Sequence, residues 1–363
     1  MSGAGGGQYR VLGIARELKR IGFEVTICSP HLLTDSLYDF AEWPIASSWA
    51  ANQLENTIIL MNRLRKVNSD AVYLQLPCPV TKGLSLYHPK IQGRSVFVDY
   101  GDLWYSDETS PMHRTLNDAL VRHFSSCADK VSAATIGLKR KLESIAPKLQ
   151  VHYAPCGVDM TLFNPRTIQL ARLPVPKGRP TILFQGQVSL FTGCQYLVPM
   201  MRGLIECGLR DAVIVVVGDG PYSTRLKEEI AMNRLERQIV LVGRKPHHLI
   251  PSYIAAADIC LAPFPTRRDI EIGVFPIKVV EYMAMGKVAI VSGAPSVKDI
   301  LTSGYDGFYA PTNDFPKIIS CLWNDPRQLL DIGDRARETA QTKFDWTIIV
   351  QSLVDFWLET AGP

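Results

Sequence analysis

A lysine and a glutamate three residues apart, Lys278 and Glu281, follow the loop Gly273, Val274, Phe275 and Pro276. Pro276 suits the first turn of a helix, where its missing N–H would be unpaired in any case. Residues at i and i+3 share a helix face, so Lys278 and Glu281 are expected side by side. A helix N-terminus, a cation and a carboxylate in that order suit a sugar nucleotide. The positive helix end and the ammonium meet a diphosphate, and the carboxylate accepts from ribose hydroxyls. An exposed helix charge is the plain alternative for Glu281.

A second candidate is the apolar run Val213–Val217, which leads into Gly218, Asp219, Gly220 and Pro221. Glycines there let a backbone approach a ligand, and the following helix N-terminus attracts anions. Tight packing of the turn explains them equally well. A dinucleotide fingerprint is not met, because the third glycine position falls on Ser223 and the strand is not the first of its domain. Asp258, just before a strand, reads as a turn or cap residue rather than a catalytic one. His247 and His248 read as an ordinary polar loop.

These groups need elements to position them. Short apolar runs alternate with helical patterns, the signature of α/β architecture with parallel sheets. Strands are expected over Glu24–Cys28, Ala71–Gln75, Ser95–Val98, Lys130–Ala134 and Gln150–Ala154 in the first half. In the second half they are expected over Thr181–Phe184, Ala212–Val217, Ile239–Val242, Ile259–Ala262 and Val288–Val291. The proline-rich stretch Asn164–Pro180 has a linker composition. Three parts follow: residues 1–165, residues 166–345, and a terminal amphipathic helix over 346–363. The carboxyl ends of both sheets are expected to face an interdomain cleft.

Composition narrows the class. The 363 residues carry a net charge of +4, too weakly basic to argue for nucleic-acid binding. No run approaches a membrane span, and no secretory signal opens the chain. Eight scattered cysteines without a C-x-x-C pair fit small buried residues in a reducing, cytoplasmic compartment. Neither a zinc cage nor a D-x-D pair is present, so no metal is expected. The basic segment Leu138–Leu142 reads as a solvated helix face or as peripheral contact with anionic lipid.

The glycine turn at Gly218 and Gly220, the Tyr253–Asp258 segment, the Lys278–Glu281 helix and Pro155–Asp159 together resemble the family 4 retaining glycosyltransferases. Those enzymes have the GT-B fold, two Rossmann-like doubly wound domains with a C-terminal crossover helix, and bind the nucleotide sugar mainly to the second domain. The resemblance runs from the Leu12–Thr26 helix-and-strand pattern to the last helix. It implies that Glu281 holds the donor ribose and that backbone N–H groups of Val274, Phe275 and Pro276, after Gly273, meet the diphosphate and sugar. Gly186 and Arg244 join Gly218 and Gly220 on the donor side. Gly5, Gly6 and Gly7 resemble the glycine loop ahead of the first helix; a flexible tail is the alternative. No cofactor beyond the nucleotide-sugar substrate is implied.

Four departures qualify that pattern. The first glutamate of the family's paired-glutamate motif falls on Gly273, with Glu271 two residues early. Two cations usually neutralise the diphosphate after the first donor-domain strand, yet the positions hold Gln187 and Thr192. Charge-assisted hydrogen bonds contribute about 1.5–3 kcal/mol each, a loss that Lys278 replaces in part, with Arg267 or Arg268 of the preceding loop as weaker candidates. The loop that often carries a His-Asp pair holds Asp102 and Trp104; Asp102 either orients an acceptor hydroxyl or makes an Asx turn. Only Met1–Ala4 precede the glycines, so the first strand of the N-terminal domain is expected to be missing. The expected activity is retaining transfer of a sugar from a nucleoside diphosphate to a hydroxyl of a glycan or lipid-linked glycan. A catalytically weakened nucleotide-sugar binder is the first alternative, followed by a sugar-nucleotide epimerase and, last, an NAD-dependent enzyme.

Overall fold

The computed structural model describes residues 6–28, 33–34, 62, 64–65, 67–75, 87–101, 110–176, 178–265 and 274–359. Contacts divide the chain into two units. One comprises Met1–Gly157, Arg268–Phe275 and Trp346–Pro363; the other comprises Val158–Arg267 and Pro276–Asp345.

The first part of the chain runs α1 (Gly6–Arg20), β1 (Ile27–Cys28), β2 (Leu33–Thr34), β3 (Ala71–Gln75), α2 (Tyr87–Ile91) and β4 (Ser95–Tyr100). It continues with α3 (Pro111–Cys127), β5 (Lys130–Ala133), α4 (Ile136–Ile145) and β6 (Val151–Tyr153). The second unit holds β7 (Thr181–Gln185), α5 (Leu197–Glu206), β8 (Val213–Val217), α6 (Ser223–Met232), β9 (Ile239–Gly243), α7 (Ile250–Ala255) and β10 (Ile259–Pro263). Then come α8 (Ile277–Ala284), β11 (Val288–Ser292), β12 (Phe308–Tyr309), α9 (Phe315–Asn324) and α10 (Pro326–Lys343). Helix α11 (Trp346–Leu358) belongs to the first unit.

In the second unit six parallel strands are ordered β12-β11-β10-β7-β8-β9. Strands β8, β10 and β11 are buried at every residue. That explains their unbroken apolar runs, since helices cover both faces of such a sheet. Asp258 has the structural role expected of it. Its carboxylate accepts from the Thr181 N–H at 2.8 Å while its own N–H donates to the Thr181 carbonyl, locking the start of β10 to the start of β7.

In the first unit β3-β4-β5-β6 form a parallel sheet. The Thr135 hydroxyl caps α4 by accepting from the Leu138 N–H at 3.0 Å. Arg10 of α1 is pinned at the carboxyl end of this sheet. Its Nε and Nη2 each donate to Asp99 at 2.7 Å, and its Nη1 donates to the Pro155 carbonyl at 2.7 Å. The Ser132 hydroxyl adds a 2.6 Å bond to Asp99. Arg10 and Asp99 are 1% and 0% exposed, and two such charges survive burial only because each is fully paired. Trp346, the first residue of α11, fills the space beside two glycines: a Cβ on Gly13 would lie 2.1 Å from its ring, and one on Gly157 2.6 Å.

Two expectations need correction. Of the strand predicted over Glu24–Cys28 only Ile27 and Cys28 are strand, and among the described residues they pair antiparallel with Leu33 and Thr34 rather than with the parallel sheet. Ile27 is buried in one apolar cluster with Ala15 of α1. Gly6 and Gly7 are not a loop ahead of the helix but its first turn, which extends back one turn from the anchored Arg10. Gly5 lies outside the described residues.

Candidate functional site

The carboxyl ends of β7 and β8 meet the N-terminus of α8 within the second unit. Gly186, directly after β7, has φ +129, a value few side chains tolerate, and a Cβ there would stand 2.9 Å from the Lys278 Nζ. Gly218, directly after β8, has its Cβ space filled by the Gly186 carbonyl oxygen at 1.8 Å, and Gly220 has its own filled by the Val188 carbonyl at 2.4 Å. Both glycines are therefore required for the β8 turn to lie against the 186–188 turn. The Asp219 carboxylate closes the β8 turn on itself, accepting from the Gly220 N–H at 2.8 Å and the Ser223 hydroxyl at 2.6 Å. Those bonds hold its pKa below the usual carboxylate value. Arg244, exposed on the loop after β9, adds a weaker pull in the same direction.

Helix α8 starts one residue later than expected, with Pro276 as its cap rather than its first helical residue, and no side chain caps the turn. Two residues on, the Lys278 side chain is half-buried while its ammonium is shielded from solvent and has no hydrogen-bond partner among the described residues. The ammonium lies 4.8 Å from the centre of the Phe184 ring and 5.2 Å from that of Phe264. Burial lowers its pKa from 10.5 to about 8, and the charge of Glu281 offsets only part of that shift. Among the described residues the cation has two ring faces and the charge of Glu281 beside it but no hydrogen-bond acceptor, which leaves it under-compensated.

Glu281 is 4% exposed, one turn after Lys278. No ion pair joins the two among the described residues; instead the Glu281 Oε1 lies 2.7 Å from the His247 Nε2. His247 sits in a 3-10 turn (His247–Leu249) after β9, with its ring centre 5.5 Å from that of Phe163. His247 is the site residue that sequence reasoning missed. Nothing in linear spacing ties position 247 to position 281, and the only signal was a histidine following Pro246 in a strand-exit loop.

The structure thus gathers Gly186, Gly218, Gly220, Lys278 and Glu281 in one unit. Val274 and Phe275 lead into Pro276, half-buried and buried respectively. Gly273 and Asp102 lie outside the described residues, as do Glu271 and Trp104. At the two positions where cations were absent, Gln187 is exposed and the Thr192 hydroxyl is used within its own turn, donating to the Gln187 and Ser189 carbonyls. A groove of about 530 Å³ between α5 and α6, lined by residues such as Arg202, Glu206 and Tyr222, includes none of these groups. Among the described residues no cluster of His, Cys, Asp and Glu could hold a metal ion, and no helix is long and apolar enough to cross a membrane. The basic residues of α4 are partly neutralised: Lys141 pairs with Asp118 at 3.1 Å and Lys139 with Glu143 at 3.7 Å.

Residues 179–325 match the family model described as Glycosyl transferases group 1. The fold is that of the GT-B glycosyltransferases, and the matched segment lies within the second part of the chain. Over 211 residues the chain is 25% identical to the putative colanic acid biosynthesis glycosyltransferase WcaL of Escherichia coli (strain K12), covering 57% of this chain and 50% of that protein. The chain therefore spans about half the length of the WcaL relatives it matches. Among solved structures, sucrose-phosphate synthase from Thermosynechococcus elongatus is similar, with TM-score 0.76 and 18% identity over 98% of this chain and 93% of that one. HepE from Anabaena, solved in complex with UDP and glucose, has TM-score 0.72 and 17% identity over 99% and 98%.

Proposed function

We propose that this chain transfers a sugar, with retention at the anomeric carbon, from a nucleoside diphosphate donor to a hydroxyl of a glycan or lipid-linked glycan. The observation that carries the reading is the Lys278 ammonium, shielded from solvent without a hydrogen-bond partner among the described residues and next to Gly186 at the start of α8. Developing negative charge on a departing diphosphate is what such a site stabilises, through the ammonium and the polarised first turn of the helix. Glu281 would accept from the donor ribose. Asp102 is assigned to the acceptor hydroxyl. The WcaL relative is named for colanic acid biosynthesis, and HepE was solved with UDP and glucose; both support a nucleotide-sugar donor and a glycan acceptor. The chemistry calls for no cofactor, and the setting proposed is the cytoplasm, with peripheral contact at a membrane where the acceptor is lipid-linked.

The test is release of nucleoside diphosphate from a panel of nucleotide sugars, with thermal-shift measurements on the same panel. One base is expected to raise the melting temperature, an effect lost in Glu281→Ala; no stabilisation by any nucleotide would overturn the reading. One observation favours a second reading, that of a binder with little or no turnover. The family's two diphosphate-neutralising cations are replaced by an exposed Gln187 and a Thr192 bonded within its own turn. Such a chain would bind the nucleotide yet release no diphosphate.

A further inference from the structure

The geometry points to His247 as a positioning residue that fixes the Glu281 carboxylate and holds it off Lys278, keeping the ammonium available for phosphate and the carboxylate for a vicinal diol. The inference rests on the donor-site reading above and assigns a role to a residue outside the motifs that suggested it. Glu281 and Lys278 stand one turn apart with opposite charges in a buried setting, where a direct ion pair would be the default. That pair is not formed among the described residues. The carboxylate is turned instead to the His247 Nε2 at 2.7 Å.

The arrangement has a chemical logic. A glutamate side chain has three rotatable bonds, and holding it still costs entropy that a second partner must offset. One bond to Oε1 fixes the carboxylate while leaving Oε2 and a further Oε1 lone pair for incoming hydroxyl donors. His247 is itself restrained: Pro246 caps its 3-10 turn, and the Phe163 ring packs against the imidazole. Had Glu281 closed onto Lys278, each would have satisfied the other, and the site would have lost both its cation and its acceptor. His247 prevents that collapse. It lies on a loop after β9, whereas Lys278 and Glu281 lie on α8, so the loop contributes selectivity to chemistry carried by the helix.

The predicted readout is a ratio. Calorimetric affinities would be measured for uridine, guanosine and adenosine diphosphates and for their 2′,3′-dideoxy counterparts, using the full chain. The unsubstituted protein is expected to prefer the ribo form of its nucleotide by about tenfold or more, the discrimination one good hydrogen-bonding group provides. His247→Ala should compress that preference to within about threefold and weaken binding of the dideoxy form as well, because the freed Glu281 neutralises Lys278. His247→Gln, which keeps an N–H donor near Oε1, should restore most of the ratio. A ratio taken within one preparation is insensitive to a partly folded fraction, which lowers both affinities alike. If His247→Ala keeps the full ribo preference while Glu281→Ala loses it, the positioning role is wrong and the donor reading stands. If Glu281→Ala also keeps it, or the unsubstituted chain binds no nucleotide, the donor reading fails and takes this inference with it.

Discussion

A Cβ on Gly186 would stand 2.9 Å from the Lys278 Nζ, so the turn after β7 and the ammonium on α8 compete for one small volume. The strand end and the helix start are thereby matched through a single missing methyl group. At φ +129 the backbone of Gly186 also resists any other residue.

Gly186→Ala is accordingly expected to act twice. Strained backbone should lower stability by about 1–3 kcal/mol, read by urea unfolding. The added methyl should also displace the ammonium and weaken nucleoside diphosphate binding beyond what the loss of folded protein explains. Equal binding per folded molecule would show that Lys278 moves aside without consequence.

Lys278 should leave a mark on the pH dependence of stability. Its folded pKa, about 8, lies below its ordinary 10.5 because burial disfavours the charged form. Between those values the unfolded chain holds a proton that the folded chain has released, so stability should rise with pH across that window. Lys278→Met should flatten this rise and melt no lower than the parent at pH 7, while binding nucleoside diphosphate about ten- to a hundredfold more weakly. Binding of a nucleoside diphosphate near pH 8.5 should draw a proton from the buffer onto the Lys278 amine, detectable as a buffer-dependent binding enthalpy.

The Arg10–Asp99 pair predicts a sharp asymmetry between single and double substitution. Asp99→Ala leaves a guanidinium buried without its carboxylate and should cost about 3–5 kcal/mol. Replacing both, Arg10→Met with Asp99→Ala, should cost less than the sum of the two single changes, because no orphan charge remains. Chemical denaturation of the four proteins completes the cycle; strict additivity would mean that the pair is not coupled.

Nucleotide binding and transfer should persist in excess chelator, because the diphosphate charge is assigned to Lys278 and the first turn of α8 rather than to a metal. Loss of binding on chelation, restored by a divalent cation, would contradict that assignment.

Much of the second unit was legible from its residues. Strands β8 and β11 are buried at every residue, so the runs at Val213–Val217 and Val288–Val291 are apolar without interruption, and the glycines that follow β7 and β8 mark the turns. Asp258 announced itself as a strand-start residue. What the chain hid was pairwise. That the Gly218 Cβ space belongs to the Gly186 carbonyl, or that Glu281 turns to His247 rather than Lys278, depends on elements brought together from 32 and 34 positions apart. Strand β12, only two residues long, is too short to show any period. The predicted strand at Glu24–Cys28 had acceptable residues, but residue type does not tell whether an apolar side chain packs beneath a helix or within a sheet.

The tryptophan wedged beside Gly13 and Gly157 has a hereditary consequence. Three positions separated by most of the polypeptide form a lock in which the bulky member tolerates only hydrogen atoms at the other two. Descendants of this chain can exchange Trp346 for something slimmer and then fill position 13 or 157. The reverse order, with the small residues enlarged first, passes through a form that cannot seat its final helix.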